Sequence, residues 1–226
     1  MDAAPPVIAI DGPSGSGKGT VSRKVADALG FHFLDSGALY RLVALAGLRA
    51  RLDPNDAAGH ARIAEQMNVE FGSDSAGNER ILLEGEDVTD ELRGEAAGTA
   101  ASRVAAMPEV RTALFARQRQ FAQAPGLVAD GRDMGTIVFP AAALKIFLTA
   151  TPAERARRRH KQLKEKGLDV SLAAVSRDIA ERDARDAGRA VAPLKAAADA
   201  IHLDSTGLTV DAVVAQILRL ARERLP

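Results

Sequence analysis

The sequence predicts a three-layer α/β fold, a five-stranded parallel sheet with helices on both faces. Three observations predict it. Short apolar runs of strand length recur along the chain, as in Val7–Ile10 and Leu144–Leu148. Stretches with helical spacing of apolar residues separate them. Runs apolar at nearly every position, with no alternation, belong to strands buried on both faces, as in parallel sheets.

Val7-Ile8-Ala9-Ile10 reads as the first strand, and Thr20–Leu29 as a helix stopped by Gly30. Phe31–Leu34 is the second strand. Asp35 or Ser36 then caps a helix carrying Leu39, Leu42, Val43 and Ala46 on one face. The rhythm breaks after that. Residues 63–67 continue a helix, Val69–Phe71 is extended, SDSAGN (73–78) is a turn, Ile81–Leu83 is extended, and Asp90 caps further helix. This local hairpin reads as an insertion over 60–106, leaving 1–59 and 107–226 as one core. From Pro108, Val110, Ala113, Leu114 and Phe121 form a helical stripe. Leu127–Asp130 and Leu144–Leu148 are strands, 152–166 and 171–186 helices, and Ala200–Leu203 the fifth strand. A last helix presents Val210, Val213, Val214, Ile217, Leu218 and Ala221 on one face.

Composition narrows the function. The 226 residues suit one sizeable domain with a small insertion. Thirty basic and thirty acidic residues cancel, which gives no support to bulk nucleic-acid binding. With no cysteine, disulfides and thiolate metal sites are excluded, and the histidines (32, 60, 160, 202) are too scattered for a zinc site. MDAAPP lacks the basic and apolar regions of a signal peptide, and no apolar run approaches the ~18 residues of a membrane helix. The expectation is a cytoplasmic protein with no membrane partner. Nothing marks an oligomer interface, so a monomer is expected.

The chemistry begins at GPSGSGKGT, residues 12–20, directly behind VIAID. Gly12, Pro13, Ser14, Gly15, Ser16, Gly17 and Lys18 fit the phosphate-loop pattern G-x-x-x-x-G-K, set between a strand and a helix as that motif requires. Glycines let backbone N–H groups approach phosphate oxygens, the helix points its N-terminus at the anion, and the lysine reaches the β/γ-phosphates. The usual Mg²⁺-holding hydroxyl after lysine is replaced by Gly19, and the hydroxyl comes one position later, at Thr20. Thr20 then bonds a phosphate oxygen, and Mg²⁺ keeps mostly water and phosphate ligands. Asp130, ending a buried strand, is the outer-shell acidic partner in the role of a Walker-B aspartate, with Thr20 a second outer-shell candidate.

GPSGSGKGT resembles the loop of the nucleoside monophosphate kinases. FLDSGALYR (33–41), ADGRDMGTIVFP (129–140), RDARDAGRAVAPL (182–194) and LDST (203–206) extend the resemblance over nearly the whole chain. With the insertion, the set is similar to the bacterial cytidylate kinase family, and it is far more specific than the loop alone. The resemblance implies a P-loop kinase core, an α+β domain at 60–106 that binds the acceptor monophosphate, and a helical lid over about 152–186. It implies ATP with Mg²⁺ as donor and CMP or dCMP as acceptor.

An acceptor phosphate carries a charge of about −1.5 to −2 near neutral pH. It is gripped by arginines and needs no strong general base. By the resemblance, Ser36 and Arg41 lie near the acceptor, and Arg132 and Arg189 contact its phosphate. Tyr40, the one tyrosine, either stacks near the acceptor or fills a core gap. Ser102, Arg111 and Asp133 match the positions that read cytosine, and Arg182 and Asp186 those that hold the sugar. Nothing in their spacing alone shows these roles. RARRRH (155–160) reads mostly as a solvated helix face, but the resemblance makes it lid sequence, with Arg158 the preferred arginine for the transferring phosphoryl group ahead of Arg155 and Arg159.

The alternatives are another small P-loop kinase, acting on UMP, AMP or a non-nucleotide, and a non-catalytic nucleotide-binding module. A GTPase switch would carry N-K-x-D, and none of Asn55, Asn68 and Asn78 is followed by lysine. An RNA-binding role for 155–166 is weakened by 4% aromatic content, because single-strand binding relies on stacking.

Overall fold

The structure is a computed structural model that describes residues 4–73, 79–92, 94–165 and 167–225. Two compact units divide the chain: Met1–Asp35 with Gln118–Pro226, and Ser36–Arg117. The expected insertion, 60–106, lies inside the second unit, which begins earlier and ends later.

The first unit holds β1 (Val7–Asp11), α1 (Lys18–Leu29) and β2 (His32–Asp35). The second holds α2 (Ser36–Arg49), α3 (Ala57–Gln66), β3 (Val69–Ser73), β4 (Glu79–Leu83), β5 (Glu86–Asp87), α4 (Thr89–Leu92), α5 (Glu95–Val104) and nearly all of α6 (Pro108–Gln120). Then come β6 (Leu127–Gly131), β7 (Leu144–Thr149), α7 (Pro152–Glu165), α8 (Leu172–Ala187), β8 (Ile201–Asp204) and α9 (Val210–Arg224), all in the first unit.

The first unit is built on a five-stranded sheet of order β2-β6-β1-β7-β8, with every pairing parallel. β1 and β6 are buried at every residue, as expected of strands covered on both faces. Helices α1 and α9 pack Val21, Val25, Val213, Ile217 and Ala221 against Ile8, Ile10, Val128 and Ile146. Helices α7 and α8 share a smaller cluster of Ala156, Leu163, Val175 and Ile179.

The second unit pairs β3, β4 and β5 as an antiparallel sheet, and α2 packs on α3, α4 and α5. Its core includes Leu39, Leu42, Leu83, Leu92 and Leu114.

Several details differ from expectation. Asp90 lies inside the first turn of α4, which Thr89 begins, so it does not cap. The two-residue strand β5 is too short to leave a pattern in sequence. Phe121 stands just past the end of α6, and Val210 is exposed at the start of α9. The turn expected at 73–78 falls, from residue 74 on, outside the described residues, as does Lys166 at the expected end of α7. Among the described residues no helix is long and apolar enough to cross a membrane.

Candidate active site

The phosphate loop leaves β1 and enters α1 at the C-terminal edge of the parallel strands, where open α/β sheets bind ligands. Two of its glycines are required by geometry. A Cβ on Gly12 would lie 2.0 Å from the Leu148 carbonyl oxygen, so the loop hugs β7 as no other residue allows. Gly17 takes φ +88° as the cap of α1, a left-handed backbone that L side chains rarely adopt. The first turn of α1 carries no acidic residue and no side-chain cap, leaving its N-terminal partial charge for an anion. Thr20 is exposed on that turn.

Lys18 is buried, and its Nζ donates to the Pro13 carbonyl at 3.3 Å and lies 4.0 Å from Asp130 Oδ1. Burial pushes its ammonium below the ordinary value and the Arg132 charge adds to that, while Asp130 acts in the opposite sense. Burial likewise raises the Asp130 carboxyl; Lys18 opposes the rise and Asp35 reinforces it. Asp35 and Asp130 are register partners at the ends of β2 and β6. A Cβ on Gly19 would stand 3.3 Å from Asp130 Oδ2, tighter than ordinary contact. The glycine in place of the usual hydroxyl residue thus keeps the loop clear of this carboxylate.

Beyond β6 the chain makes a single π-helical turn, Met134–Val138, opened by the buried Asp133. The last residue of β1, Asp11, accepts hydrogen bonds from Met134 N and Gly135 N, both at 2.8 Å. Burial lifts its carboxyl to about 6 in spite of these two bonds.

Arg132 Nε donates to Asp186 Oδ2 at 2.9 Å, and Arg189 donates to Asp186 Oδ1, so one buried carboxylate on α8 holds both arginines expected at the acceptor phosphate. Burial works to raise the Asp186 carboxyl, but Arg132, Arg189 and Arg182 outweigh it and hold the group below its ordinary value. Arg182 also acts on Lys18.

Arg158 is tied to the loop. Its Nη1 donates to the Ser16 carbonyl (3.1 Å) and Ser205 Oγ (3.0 Å), its Nη2 to the Ser205 carbonyl (2.6 Å), and its Nε to Glu154 (2.9 Å). Arg155 is buried and donates to the Ser14 carbonyl at 3.0 Å while pairing bidentately with Asp183 on α8. Two guanidinium groups of α7 therefore hold the Ser14 and Ser16 carbonyls of the loop.

The remaining expected residues belong to the second unit. Ser36, Tyr40 and Arg41 lie on α2, Ser102 on α5 and Arg111 on α6. The guanidinium of Arg111 sits 5.7 Å from the centre of the Tyr40 ring and donates to the Ala105 carbonyl at 3.2 Å. Both residues are buried, so Tyr40 combines packing with a cation–π contact. Ser102 Oγ is buried with no hydrogen-bond partner among the described residues.

The sequence assigns no role to Asp11, and Asp183, Ser205 and Asp35 enter only within RDARDAGRAVAPL, LDST and FLDSGALYR, with Asp35 also a candidate cap. Asp11 and Asp35 carried one usable signal: each ends a strand at the sheet edge where ligands bind.

For Mg²⁺, no group of three or more His, Cys, Asp or Glu among the described residues forms a direct cage. Asp130 stands beside the loop, 4.0 Å from Lys18 Nζ, and its carboxylate could serve a cation carried by phosphates and water.

A sequence model described as cytidylate kinase matches residues 8–223. The chain is 57% identical over 220 residues to a protein of Stutzerimonas stutzeri (strain A1501) named cytidylate kinase, covering 97% of this chain and 96% of that one. Proteins with the same name from Pseudomonas aeruginosa (strain LESB58) and Ralstonia pickettii (strain 12J) are each 56% identical, over 97% and 96% of this chain and 96% and 92% of theirs.

Proposed function

The chain belongs to the cytidylate kinase family, a family of phosphotransferases acting on nucleoside monophosphates, and from that membership we propose how its residues carry the reaction. ATP donates its γ-phosphoryl group to CMP or dCMP, giving ADP and CDP or dCDP. One observation carries this reading: Arg132 and Arg189 converge on the single carboxylate of Asp186, and the Arg132 charge is felt at the buried Lys18 of the phosphate loop. Such a gathering of cations is stabilised by a polyanion.

In this reading the N–H groups of residues 12–20 and Lys18 hold the ATP phosphates, and Thr20 bonds one phosphate oxygen. Asp130 would be the outer-shell partner of Mg²⁺ carried in with ATP, which would supply positive charge against the phosphates. Arg132 and Arg189 grip the acceptor phosphate, whose attacking oxygen is already ionised, so positioning and charge stabilisation suffice. Arg158 contributes to phosphoryl stabilisation by exchanging its Ser205 contacts for phosphate oxygens as α7 and α8 close over the site and exclude water. Residues 60–106 bind the acceptor, with Ser36, Tyr40 and Arg41 beside it. Ser102, Arg111 and Asp133 read the base: a carboxylate accepts from the cytosine amine, and an arginine or hydroxyl donates to its other edge. Arg182 and Asp186 lie at the sugar. Both Asp186 oxygens already accept from arginines, so a strict demand for a 2′-hydroxyl is not expected, and dCMP serves as a second substrate. We place the enzyme in the cytoplasm as a monomer.

A coupled ADP assay over a panel of monophosphates tests this. Turnover is expected to be fastest with CMP and dCMP. Preference for AMP, or ATP hydrolysis indifferent to every acceptor, would overturn the assignment.

A further inference from the structure

We infer that Asp11 is a positioning residue for the acceptor: from the end of β1 its carboxylate holds the turn after β6, and so sets where Arg132 and Asp133 meet the acceptor nucleotide. The inference rests on the acceptor roles proposed above for those two residues.

Each oxygen of Asp11 accepts one backbone N–H, Met134 N on Oδ1 and Gly135 N on Oδ2, both at 2.8 Å. The two donors directly follow Arg132 and Asp133, whose charges are both felt at Asp11. The opposite wall of the turn is the stem of Lys145 on β7. A Cβ on Gly135 would stand 3.2 Å from Lys145 Cδ and 3.4 Å from Asp11 Oδ2. That stem is fixed at its far end, because Lys145 Nζ donates to the Pro140 carbonyl at 2.6 Å and to Asp199 at 2.9 Å. Gly135 therefore fills a slot only a glycine fits without displacement, between a carboxylate and an anchored alkyl chain.

Packing alone does not explain a carboxylate here. Asp11 is 4% exposed, and its backbone already pairs with Gly131 and Phe147 on the two neighbouring strands. An apolar side chain would serve the sheet without the cost of a desolvated charge. What the carboxylate adds is two convergent acceptors at the start of the π-helical turn, whose far end is held by the Arg119 bond to the Val138 carbonyl.

The test is steady-state kinetics of Asp11→Asn and Gly135→Ala. In Asp11→Asn the amide oxygen accepts one of the two N–H groups and its NH₂ opposes the other. The KM for CMP is expected to rise at least fivefold, the preference for CMP over UMP to fall at least threefold, and the KM for ATP to stay within twofold. Gly135→Ala, which perturbs the same contact from its other side, is expected to shift the same parameters by smaller factors, and it decides the question if Asp11→Asn does not fold. A lower melting temperature or kcat with acceptor KM and base preference unchanged would mean a purely structural role and would overturn the inference. So would an equal rise in both KM values. If the unsubstituted enzyme itself shows no CMP preference, the proposed function fails instead, a result that wild-type kinetics alone reveals.

Discussion

Replacing Asp186 by alanine removes the carboxylate to which both Arg132 and Arg189 donate. The side chains of Asp186, Arg189 and Arg132 are 1%, 6% and 15% exposed, so solvent does little to screen the loss. Breaking a buried ion pair by deleting one partner costs ~3–5 kcal/mol. Arg132 keeps its Nη1 bond to the Gly131 carbonyl, which argues for the middle of that range, about 4 kcal/mol. In a chain of this size each kcal/mol moves the melting temperature by ~2–4 °C, so Asp186→Ala should melt roughly 8–16 °C lower by circular dichroism. Asp186→Asn, which retains one acceptor oxygen, should fall between the two. Loss of the carboxylate shared by Arg132 and Arg189 should also make Asp186→Ala gain more from added inorganic phosphate than wild type does, through binding to the folded state. The pH sign follows from the depressed carboxyl of Asp186. Its stabilisation is complete above the ordinary value of 3.8 and is lost as pH falls below it, so wild type and Asp186→Asn should converge in acid. A melting temperature within 2 °C of wild type, or identical responses to phosphate, would refute the claim that this carboxylate holds the arginine pair.

Gly12→Ala should abolish nucleotide binding, because its Cβ would sit 2.0 Å from the Leu148 carbonyl oxygen and backbone on one side or the other must move; equilibrium dialysis with ATP measures it. Lys18→Ala should reduce turnover at least a hundredfold, in line with the ~10²–10³ seen on removing one transition-state donor elsewhere, and should retain the wild-type circular dichroism spectrum. Asp11, raised to about 6 from an ordinary 3.8, should make the fold less stable as pH rises from about 4 to 6, since the native state then holds the extra proton. At ~1.36 kcal/mol per unit that loss is about 3 kcal/mol, and urea midpoints should fall with pH more steeply for wild type than for Asp11→Asn, which keeps the contribution of the raised Asp130. The same figure offsets the ~1–3 kcal/mol of one unsatisfied N–H in Asp11→Asn, so that variant should fold with near wild-type stability at pH 7. Asp133→Ala should relax the choice between CMP and UMP while ATP binding is retained, as competition kinetics will show.

The parallel core was legible because its signals are local. A strand buried on both faces is apolar throughout, a helix repeats every 3.6 residues, and the phosphate loop is nine consecutive residues between them. The second unit was harder to read. Its third strand has two residues, and α5 is built mostly of alanine, glycine and small polar residues. The cluster of arginines at 155–159 was visible, but nothing in that run distinguishes Arg155, braced by Asp183, from the exposed Arg157.

What the sequence by itself determined is therefore the chemistry on offer: a phosphate loop, arginines to meet a second phosphate, and the family pattern that names the acceptor. The tertiary structure decided which charges share a partner. Asp11 meets Met134 across 123 positions, Arg132 meets Asp186 across 54, and Arg158 meets the Ser16 carbonyl across 142. No local rule selects those pairs. They form because the parallel crossovers bring the ends of β1, β6 and β7, with α7 and α8 that follow β7, to one edge, where burial makes each unpaired charge costly enough to dictate its partner.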